Sequence, residues 1–225
     1  MIGVFDSGVG GICAFREIRR LMPKANTVYL ADRRNAPYGI KTKDEIISLT
    51  SKNINILRSI GADRVLIACC TASSVYSMLC EEEKAISMPI ITPAAELASS
   101  FGRRIAVIAT EHTAKNGVFS REISRFSSAE VFEFAEQRLV ALVEDGCRDG
   151  RINEECEEIL MRIGKTVGDI NADTLILGCT HFSHLESELS KRCGIRIVSP
   201  AREGARALVK MIKTDRRDCG RIIYM

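Results

Sequence analysis

Residues 65–73 read VLIACCTAS, and residues 175–183 read LILGCTHFS. Each stretch opens with an apolar run that lacks polar alternation, which is typical of a parallel β-strand buried on both faces. Each run ends in cysteine and threonine. The two stretches therefore predict two similar strands, each followed at once by reactive side chains.

Along the rest of the chain, short apolar runs alternate with longer segments of helical spacing. Short apolar runs predict strands at 2–5, 27–30, 64–68, 89–92, 105–109, 130–134, 174–178 and 195–198. Apolar residues spaced three and four apart predict helices at 11–22, 43–60, 153–170 and 201–213. Strands that alternate with helices indicate an α/β fold with parallel sheets.

Internal similarity favours two sheets over one. IGVFDSG from Ile2 resembles IAVIATEHT from Ile105, and the pair of stretches quoted above follows in the same order at a similar distance. Duplication of a four-strand half explains the repetition, whereas a chance match between buried strands is the alternative. We predict one domain from residues 1–93 plus 200–225 and a second from residues 94–199.

Composition narrows the function classes. The chain has 225 residues, of which 46% are hydrophobic and 27% charged, with a net charge of +3. These values exclude a disordered chain, and the spread of the small net charge gives no reason to expect a nucleic-acid partner. No apolar run reaches the roughly 18 residues of a membrane span. The odd count of nine cysteines, with no secretion signal in MIGVFDSG, predicts reduced thiols in the cytoplasm.

Candidate site residues follow the predicted strands, because ligands of open parallel sheets bind beyond the carboxyl ends of strands. They are Asp6, Ser7, Asp32, Cys69, Cys70, Thr71, Thr110, Thr113, Cys179, Thr180 and His181. The loop at 36–39 adds Pro37 and, beside it, Tyr38 and Gly39, whose backbone groups can contact a small ligand. If the two halves face each other, a thiol from each lies on opposite sides of a shared cleft.

Two opposed thiols suit racemisation of a carbon acid. One thiolate removes the α-proton, and the thiol opposite delivers a proton to the other face. Cysteine can do both because its pKa of about 8.5 is near working pH. Asp6 beside one thiol and His181 beside the other are candidates to accept a proton. This chemistry needs no cofactor, and the sequence signals none.

Two other interpretations concern the cysteines. Six lie within or beside helical patterns and are predicted to be structural, namely Cys13, Cys80, Cys147, Cys156, Cys193 and Cys219. Cys179, His181 and His184 are residue types that bind metals. Because the chain has no CxxC pair and no second cluster at a zinc spacing, we predict no metal site.

Six motifs resemble those of the glutamate racemase family, in that family's order. They are IGVFDSGVGG at 2–11, DRRNAPYG at 32–39, CCTAS at 69–73, ATEHT at 109–113, LVALVEDG at 139–146 and LGCTH at 177–181. The resemblance implies two pseudo-symmetric α/β domains with the active site in the cleft between them. It implies cofactor-independent interconversion of L- and D-glutamate, which supplies D-glutamate for peptidoglycan.

The resemblance also implies residue roles. Cys69 and Cys179 match the two acid/base thiols, with Asp6 assisting the first and His181 and Glu144 assisting the second. Substrate-binding positions, including those from the strand ends and the loop, are Ser7, Asp32, Pro37, Tyr38, Gly39, Cys70, Thr71, Thr110, Thr113 and Thr180. The family tends towards dimers, so a homodimer is one expectation.

Three positions depart from the family's pattern. Cys70 stands where the family has Asn, Phe182-Ser183 replaces Tyr-Pro, and Glu136-Gln137 replaces Cys-Pro. A thiol holds an amino acid less firmly than an amide does. Cys70 therefore leaves open three alternatives, which are a different acidic amino acid such as aspartate, a binding protein without turnover, and Cys70 in place of Cys69 as the first thiol.

Overall fold

The computed structural model describes residues 1–212 and 220–225. The chain divides into two compact units, Met1–Ile90 with Ala201–Met225, and Ile91–Pro200. Within the described residues each unit is built on one parallel sheet flanked by helices. The prediction of an α/β fold with two similar parallel sheets is confirmed.

The first unit has a five-stranded sheet with the order β4-β3-β1-β2-β9. Its strands are β1 (Ile2–Asp6), β2 (Thr27–Ala31), β3 (Arg64–Ile67), β4 (Ser87–Pro89) and β9 (Ile222–Tyr224). Its helices are α1 (Ile12–Leu21), α2 (Lys43–Ser59), α3 (Cys70–Ser73), α4 (Glu81–Ile86) and α11 (Pro200–Met211). Short 3-10 turns occupy Arg33–Asn35, Tyr38–Ile40 and Tyr76–Met78.

The second unit has a four-stranded sheet with the order β6-β5-β7-β8. Its strands are β5 (Arg104–Ala109), β6 (Glu130–Ala135), β7 (Thr174–Gly178) and β8 (Arg196–Val198). Its helices are α5 (Ile91–Ser99), α6 (Glu111–Lys115), α7 (Val118–Ile123), α8 (Gln137–Glu144), α9 (Glu154–Asp169) and α10 (Glu186–Cys193), with a 3-10 segment at Thr180–Leu185.

Local sequence explains where the long helices begin and which faces they bury. Thr42 accepts a hydrogen bond from Glu45 N, and the Glu45 carboxylate accepts one from Thr42 N, so a capping box starts α2. Asn153 caps α9 by accepting from Cys156 N. The buried face of α9 repeats at helical spacing, as predicted, through Cys156, Ile159, Leu160, Ile163 and Val167.

Both sheets share one strand order. In each, the first strand lies between the second and the third, giving β2-β1-β3-β4 and β6-β5-β7-β8. The direction of winding reverses between the first and third strands, which opens a crevice beyond their carboxyl ends. The residues that follow β1 and β3, and those that follow β5 and β7, are therefore placed for ligand binding.

Several sequence predictions were wrong or incomplete. The strand predicted at 89–92 is two elements, because β4 ends at Pro89 and α5 begins at Ile91. Pro89 is tolerated because β4 is an edge strand, and Pro93 because it lies in the first helical turn. The exposed three-residue β9 was not predicted. The last residue of the helix predicted at 201–213, and Cys219, lie outside the described residues.

Among the described residues, the cysteines predicted to be structural fall into a buried or half-buried group and one exposed residue. Cys147 and Cys156 are buried, and Cys13 and Cys193 are half-buried. Cys80 is exposed at the N-terminus of α4, so its assignment to packing was wrong.

In the described parts of the chain, no helix is both long and apolar enough to cross a bilayer.

One helical glycine tests the packing of the first unit. A Cβ added to Gly204 in α11 would lie 2.5 Å from Ile90 Cγ2 and 3.1 Å from Ile90 Cα. We expect Gly204→Ala to lower the free energy of unfolding by about 1–3 kcal/mol, because the helix must move away from Ile90. Urea unfolding measures the change.

Gly168→Ala in α9 is the matched control, because an added Cβ there meets nothing within 4 Å. We expect this variant to gain about 0.5–1 kcal/mol from the better helix propensity of alanine. Equal stability of the two variants would contradict the close approach of α11 to Ile90.

Candidate active site

The first thiol lies at the carboxyl edge of the first sheet. Phe5 pairs with Ile67, and Ala68 N donates to Phe5 O at 2.8 Å, so Asp6 and Cys69 leave neighbouring strands at one edge. Ser7 Oγ lies 3.5 Å from Cys69 Sγ. Asp6 has no exposed surface and Cys69 is 5% exposed. The predicted grouping of these residues is therefore present within this unit.

The backbone around Cys69 favours negative charge on its sulfur. Cys69 is the N-cap of α3, and Ala72 N donates to Cys69 Sγ at 3.5 Å. A backbone N–H directed at the sulfur stabilises a thiolate relative to a thiol. The entry into α3 thus directs one backbone N–H at the Cys69 sulfur.

The glycine-rich turn after β1 packs back onto Asp6. Gly8 N donates to Asp6 Oδ2 at 3.0 Å, and Tyr29 OH donates to Gly8 O at 2.9 Å. A Cβ added at Gly11 would lie 2.5 Å from Asp6 Cβ, so this position requires glycine. The turn therefore fixes the carboxylate that the sequence placed beside the first thiol.

Asp32 organises the loop that holds Tyr38. Asp32 N donates to Asp6 O, which fixes the loop against the end of β1. Tyr38 OH donates to Asp32 Oδ2 at 2.6 Å, Asn53 Nδ2 donates to the same oxygen at 3.0 Å, and Asn35 Nδ2 donates to Oδ1 at 2.8 Å. The Asp32 carboxylate thus binds protein groups that shape the loop.

The protonation states of this network follow from its contacts. Burial raises the pKa of Asp32, but the hydrogen bonds from Tyr38 and the two asparagines outweigh burial and lower this pKa below its usual value. Burial also raises the pKa of Tyr38, and the neighbouring Asp32 carboxylate raises it further. Asp32 is therefore an anion and Tyr38 a neutral donor at neutral pH.

The second thiol lies at the corresponding edge of the second sheet. Ala109 pairs with Gly178, so Thr110 and Cys179 follow neighbouring strands. Thr110 Oγ1 donates to Thr113 Oγ1 at 3.1 Å and accepts from Thr113 N at 3.4 Å, which caps α6. Both threonines are buried. Their hydroxyls are thus held at the edge from which Cys179 emerges.

A relay of side chains contacts Cys179. Its Sγ lies 3.5 Å from His181 Nδ1, and His181 Nε2 lies 2.6 Å from Glu144 Oε1. With the proton on Nε2 donated to Glu144, Nδ1 can accept the proton of Cys179. The side chain of His181 is 5% exposed and that of Glu144 is 31% exposed. This arrangement suits general acid/base chemistry at the sulfur.

Glu144 and Asn53 are residues that reasoning from spacing missed. Glu144 came only from the family resemblance, and its contact with His181 spans 37 residues of sequence. Asn53 gave one weak signal, which is a polar side chain on the apolar face of α2. A one-dimensional pattern does not indicate which distant partner such a side chain meets.

His184 belongs to a different contact. Its Nδ1 lies 3.5 Å from Asp149 Oδ1, and its side chain is buried. Across residues 1–212 and 220–225, no group of three or more His, Cys, Asp or Glu side chains is placed to hold a metal ion.

Strand register relates the two sheets residue by residue. Asp63 N donates to Met1 O at 3.0 Å at the start of β3, and Asp173 N donates to Arg104 O at 2.9 Å at the start of β7. Asp63 and Asp173 therefore occupy corresponding positions. The matching segments GAD at 61–63 and NAD at 171–173 were a sequence signal for this correspondence.

The register makes Cys69 the counterpart of Cys179. Each cysteine lies the same number of residues after its aspartate, so Cys69 and Cys179 occupy matching positions beyond the carboxyl ends of β3 and β7. Cys70 corresponds instead to Thr180 and is the first residue of α3. The topology therefore distinguishes the two adjacent thiols, which internal repetition in the sequence left open.

The remaining predicted site residues are placed as follows. Thr71 and Thr180 are buried just after Cys69 and Cys179, respectively. Gly39 is buried beside Tyr38, whereas Pro37 is exposed at the start of that turn.

Comparison with known proteins supports this description. A sequence model of the family "Asp/Glu/Hydantoin racemase" matches residues 14–208. Glutamate racemase of Desulforudis audaxviator is 37% identical over 213 residues, which cover 92% of this chain and 77% of that protein. Glutamate racemase of Persephonella marina is 39% identical over 196 residues, which cover 84% and 73% of the two chains.

Solved structures give the same result. A Bacillus anthracis glutamate racemase aligns with a TM-score of 0.84 and 27% identity, over 100% of this chain and 86% of that chain. Escherichia coli glutamate racemase, in complex with L-glutamate and the activator UDP-MurNAc-ala, aligns with a TM-score of 0.75 and 27% identity, over 100% and 88%. Since the family match covers most of the sequence and both sheets align with racemases, the chain belongs to the Asp/Glu/Hydantoin racemase family, as its motifs predicted.

Proposed function

We propose that this protein interconverts L- and D-glutamate, with Cys69 and Cys179 exchanging the α-proton on opposite faces of the substrate. One observation carries the proposal, which is that the two thiols occupy corresponding positions after the third strand of each sheet. The glutamate racemases to which the chain is similar support glutamate as the substrate.

The reaction conserves protons and needs no redox change. One thiolate removes the α-proton and becomes a thiol, while the other thiol protonates the carbanion from the opposite face and becomes a thiolate. The reverse reaction exchanges these roles. The mechanism therefore requires each cysteine to act as a base in one direction and as an acid in the other, and a thiol can fill both roles.

The two thiols are assisted by different groups. At Cys179, His181 accepts the thiol proton and Glu144 stabilises the resulting imidazolium. At Cys69, the Ala72 N–H and the Ser7 hydroxyl contact the sulfur directly. Asp6 lies at the same strand end, and we assign it the role of assisting Cys69 that the family resemblance implied.

Substrate recognition falls to hydroxyl and backbone groups. Ser7, Thr71, Thr110, Thr113 and Thr180 are buried hydroxyl residues at the carboxyl edges of their sheets. Each hydroxyl can donate to a carboxylate oxygen or accept from an ammonium group. We assign Tyr38 and Gly39 to recognition through their backbone, and Cys70 to the wall that meets the substrate.

The cellular role in this proposal is the supply of D-glutamate for peptidoglycan, in the cytoplasm. Its support is membership of the family and the similarity to glutamate racemases. The predicted domain limits, at 1–93 plus 200–225 and 94–199, and the expected homodimer remain predictions.

Racemisation in D₂O tests the proposal directly. We expect L-glutamate to yield D-glutamate that carries deuterium at the α-carbon, while the remaining L-glutamate keeps its proton at early times. This pattern arises because the proton removed by one thiol is not the one delivered by the other. Proton NMR and chiral chromatography follow both enantiomers.

The same assay with L- and D-aspartate tests the alternative substrate. If aspartate is turned over faster than glutamate, aspartate replaces glutamate as the assigned substrate. Binding of glutamate by calorimetry without any α-proton exchange, in a folded preparation, would show a binding protein and overturn the proposal.

Serine substitutions test the choice of thiols. We expect Cys69→Ser and Cys179→Ser each to lower kcat/KM by about 10²–10⁴-fold, because a hydroxyl is a far weaker acid than a thiol. Cys70→Ser should keep measurable activity. Cys193→Ser is the control, because Cys193 is a half-buried cysteine at the end of α10, away from the carboxyl ends of β3 and β7. A Cys70→Ser enzyme as inactive as Cys69→Ser would contradict the assignment.

Glu144→Gln tests the relay at the second thiol. We expect kcat/KM to fall by about 10–100-fold, and equally for both enantiomers because they are equally stable in solution. The rate of Cys179 alkylation by iodoacetamide should fall too, because the neutral amide no longer supports proton transfer to His181. Peptide mapping measures both thiols, and an unchanged rate at Cys179 with an altered rate at Cys69 would contradict the relay.

A further inference from the structure

Asn53 is a polar residue in an apolar environment. It lies on the buried face of α2 with Ile46, Ile54 and Leu57, and it is 3% exposed. A buried amide is costly unless its hydrogen-bonding groups are satisfied. An apolar side chain would pack on this face without that cost, so the partners of Asn53 indicate its role.

The side-chain amide of Asn53 is hydrogen-bonded to two residues of the loop at 32–39 that contains Tyr38. Its Nδ2 donates to Asp32 Oδ2 and to Tyr38 OH, each at 3.0 Å. Tyr38 OH in turn donates to Asp32 Oδ2 at 2.6 Å. The three side chains therefore form a closed triangle in which the tyrosine hydroxyl both donates and accepts.

This triangle is connected to the first thiol by packing. Tyr38 is 1% exposed and belongs to the same core cluster as Cys69. It begins the turn Tyr38–Ile40, which packs against α3, the helix that starts directly after Cys69. A shift of the Tyr38 ring would therefore move the backbone of this turn relative to the thiol.

We propose that Asn53 is a positioning residue of the racemase site, which fixes Tyr38 and Asp32 and thereby sets the substrate-binding turn Tyr38–Ile40 beside Cys69. This inference rests on the proposed function. Asn53 does not enter the chemistry, and its effect on substrate affinity is transmitted through the position of the turn.

Loss of this amide has two consequences that a purely structural residue does not share. Substrate affinity falls because the turn is no longer fixed, while the proton-transfer groups are untouched. The pKa of Asp32 rises because one of the hydrogen bonds that lower it is lost. Lys52 acts electrostatically on Asp32, Cys69 and Asp6 act on Tyr38, and all three remain in the variant.

The test compares Asn53→Leu with Asn55→Leu in the full-length enzyme. Asn55 lies on the same helix, but its Nδ2 donates to Ser51 O and Glu83 Oε1 and not to the loop. For Asn53→Leu we expect KM for both enantiomers of glutamate to rise about tenfold, with kcat changed by less than about threefold. Asn55→Leu should leave KM within about twofold of the unsubstituted enzyme, whatever its effect on urea unfolding.

The pH profile is the second readout. The ionised carboxylate of Asp32 accepts the hydrogen bond from Tyr38 OH. If the pKa of Asp32 is raised, this carboxylate becomes protonated at a higher pH as acid is added. The acid limb of kcat/KM should therefore move to higher pH in Asn53→Leu and stay in place in Asn55→Leu. An unshifted limb together with an unchanged KM would overturn the proposal.

A double-mutant cycle with Tyr38→Phe completes the test. Because Asn53 acts through Tyr38, Asn53→Leu should raise KM clearly less in the Tyr38→Phe background than in the unsubstituted enzyme. Additive effects of the two substitutions would contradict the proposal. If Asn53→Leu does not fold, Asn53→Ser takes its place in the same cycle. An unsubstituted enzyme that fails to racemise refutes the proposed function, whereas normal racemisation with an unchanged KM refutes only the role of Asn53.

Discussion

The hydrogen-bond register between the first and third strands of each sheet is the constraint on which the site depends. Pairing of Phe5 with Ile67 and of Ala109 with Gly178 determines where each strand ends and which side chains emerge together. A slip of one residue would turn every side chain of a strand to the opposite face. Side chains on both faces of β3 and β7 pack in the core, so a slip would disrupt that packing, and the core thereby holds the strands that lead to Cys69 and Cys179 in register.

From this common frame the two units support their thiols differently. The first surrounds Cys69 with a backbone N–H, a serine and a glycine turn packed on Asp6. The second gives Cys179 an imidazole backed by a carboxylate that reaches solvent. The two sheets share one strand order while the groups around the two thiols differ, so the two faces of the proposed reaction would be chemically distinct.

Sequence alone predicted the elements that repeat locally and missed those that depend on distant contacts. Buried strands and the stripe of α9 were evident because their apolar spacing reports burial directly. The edge strand β9 was missed because its three residues are largely exposed. Glu144 and Asn53 were out of reach because their partners lie 37 and 21 residues away, and the pairing exists only in the folded chain.

The most direct test of two opposed thiols is the primary deuterium isotope effect on α-deuterated L- and D-glutamate, measured for Cys69→Ser and Cys179→Ser. Each substitution weakens the base on one face only. We therefore expect the isotope effect to increase for one enantiomer in the first variant and for the other enantiomer in the second. An increase for the same enantiomer in both variants would contradict the assignment of one thiol to each face.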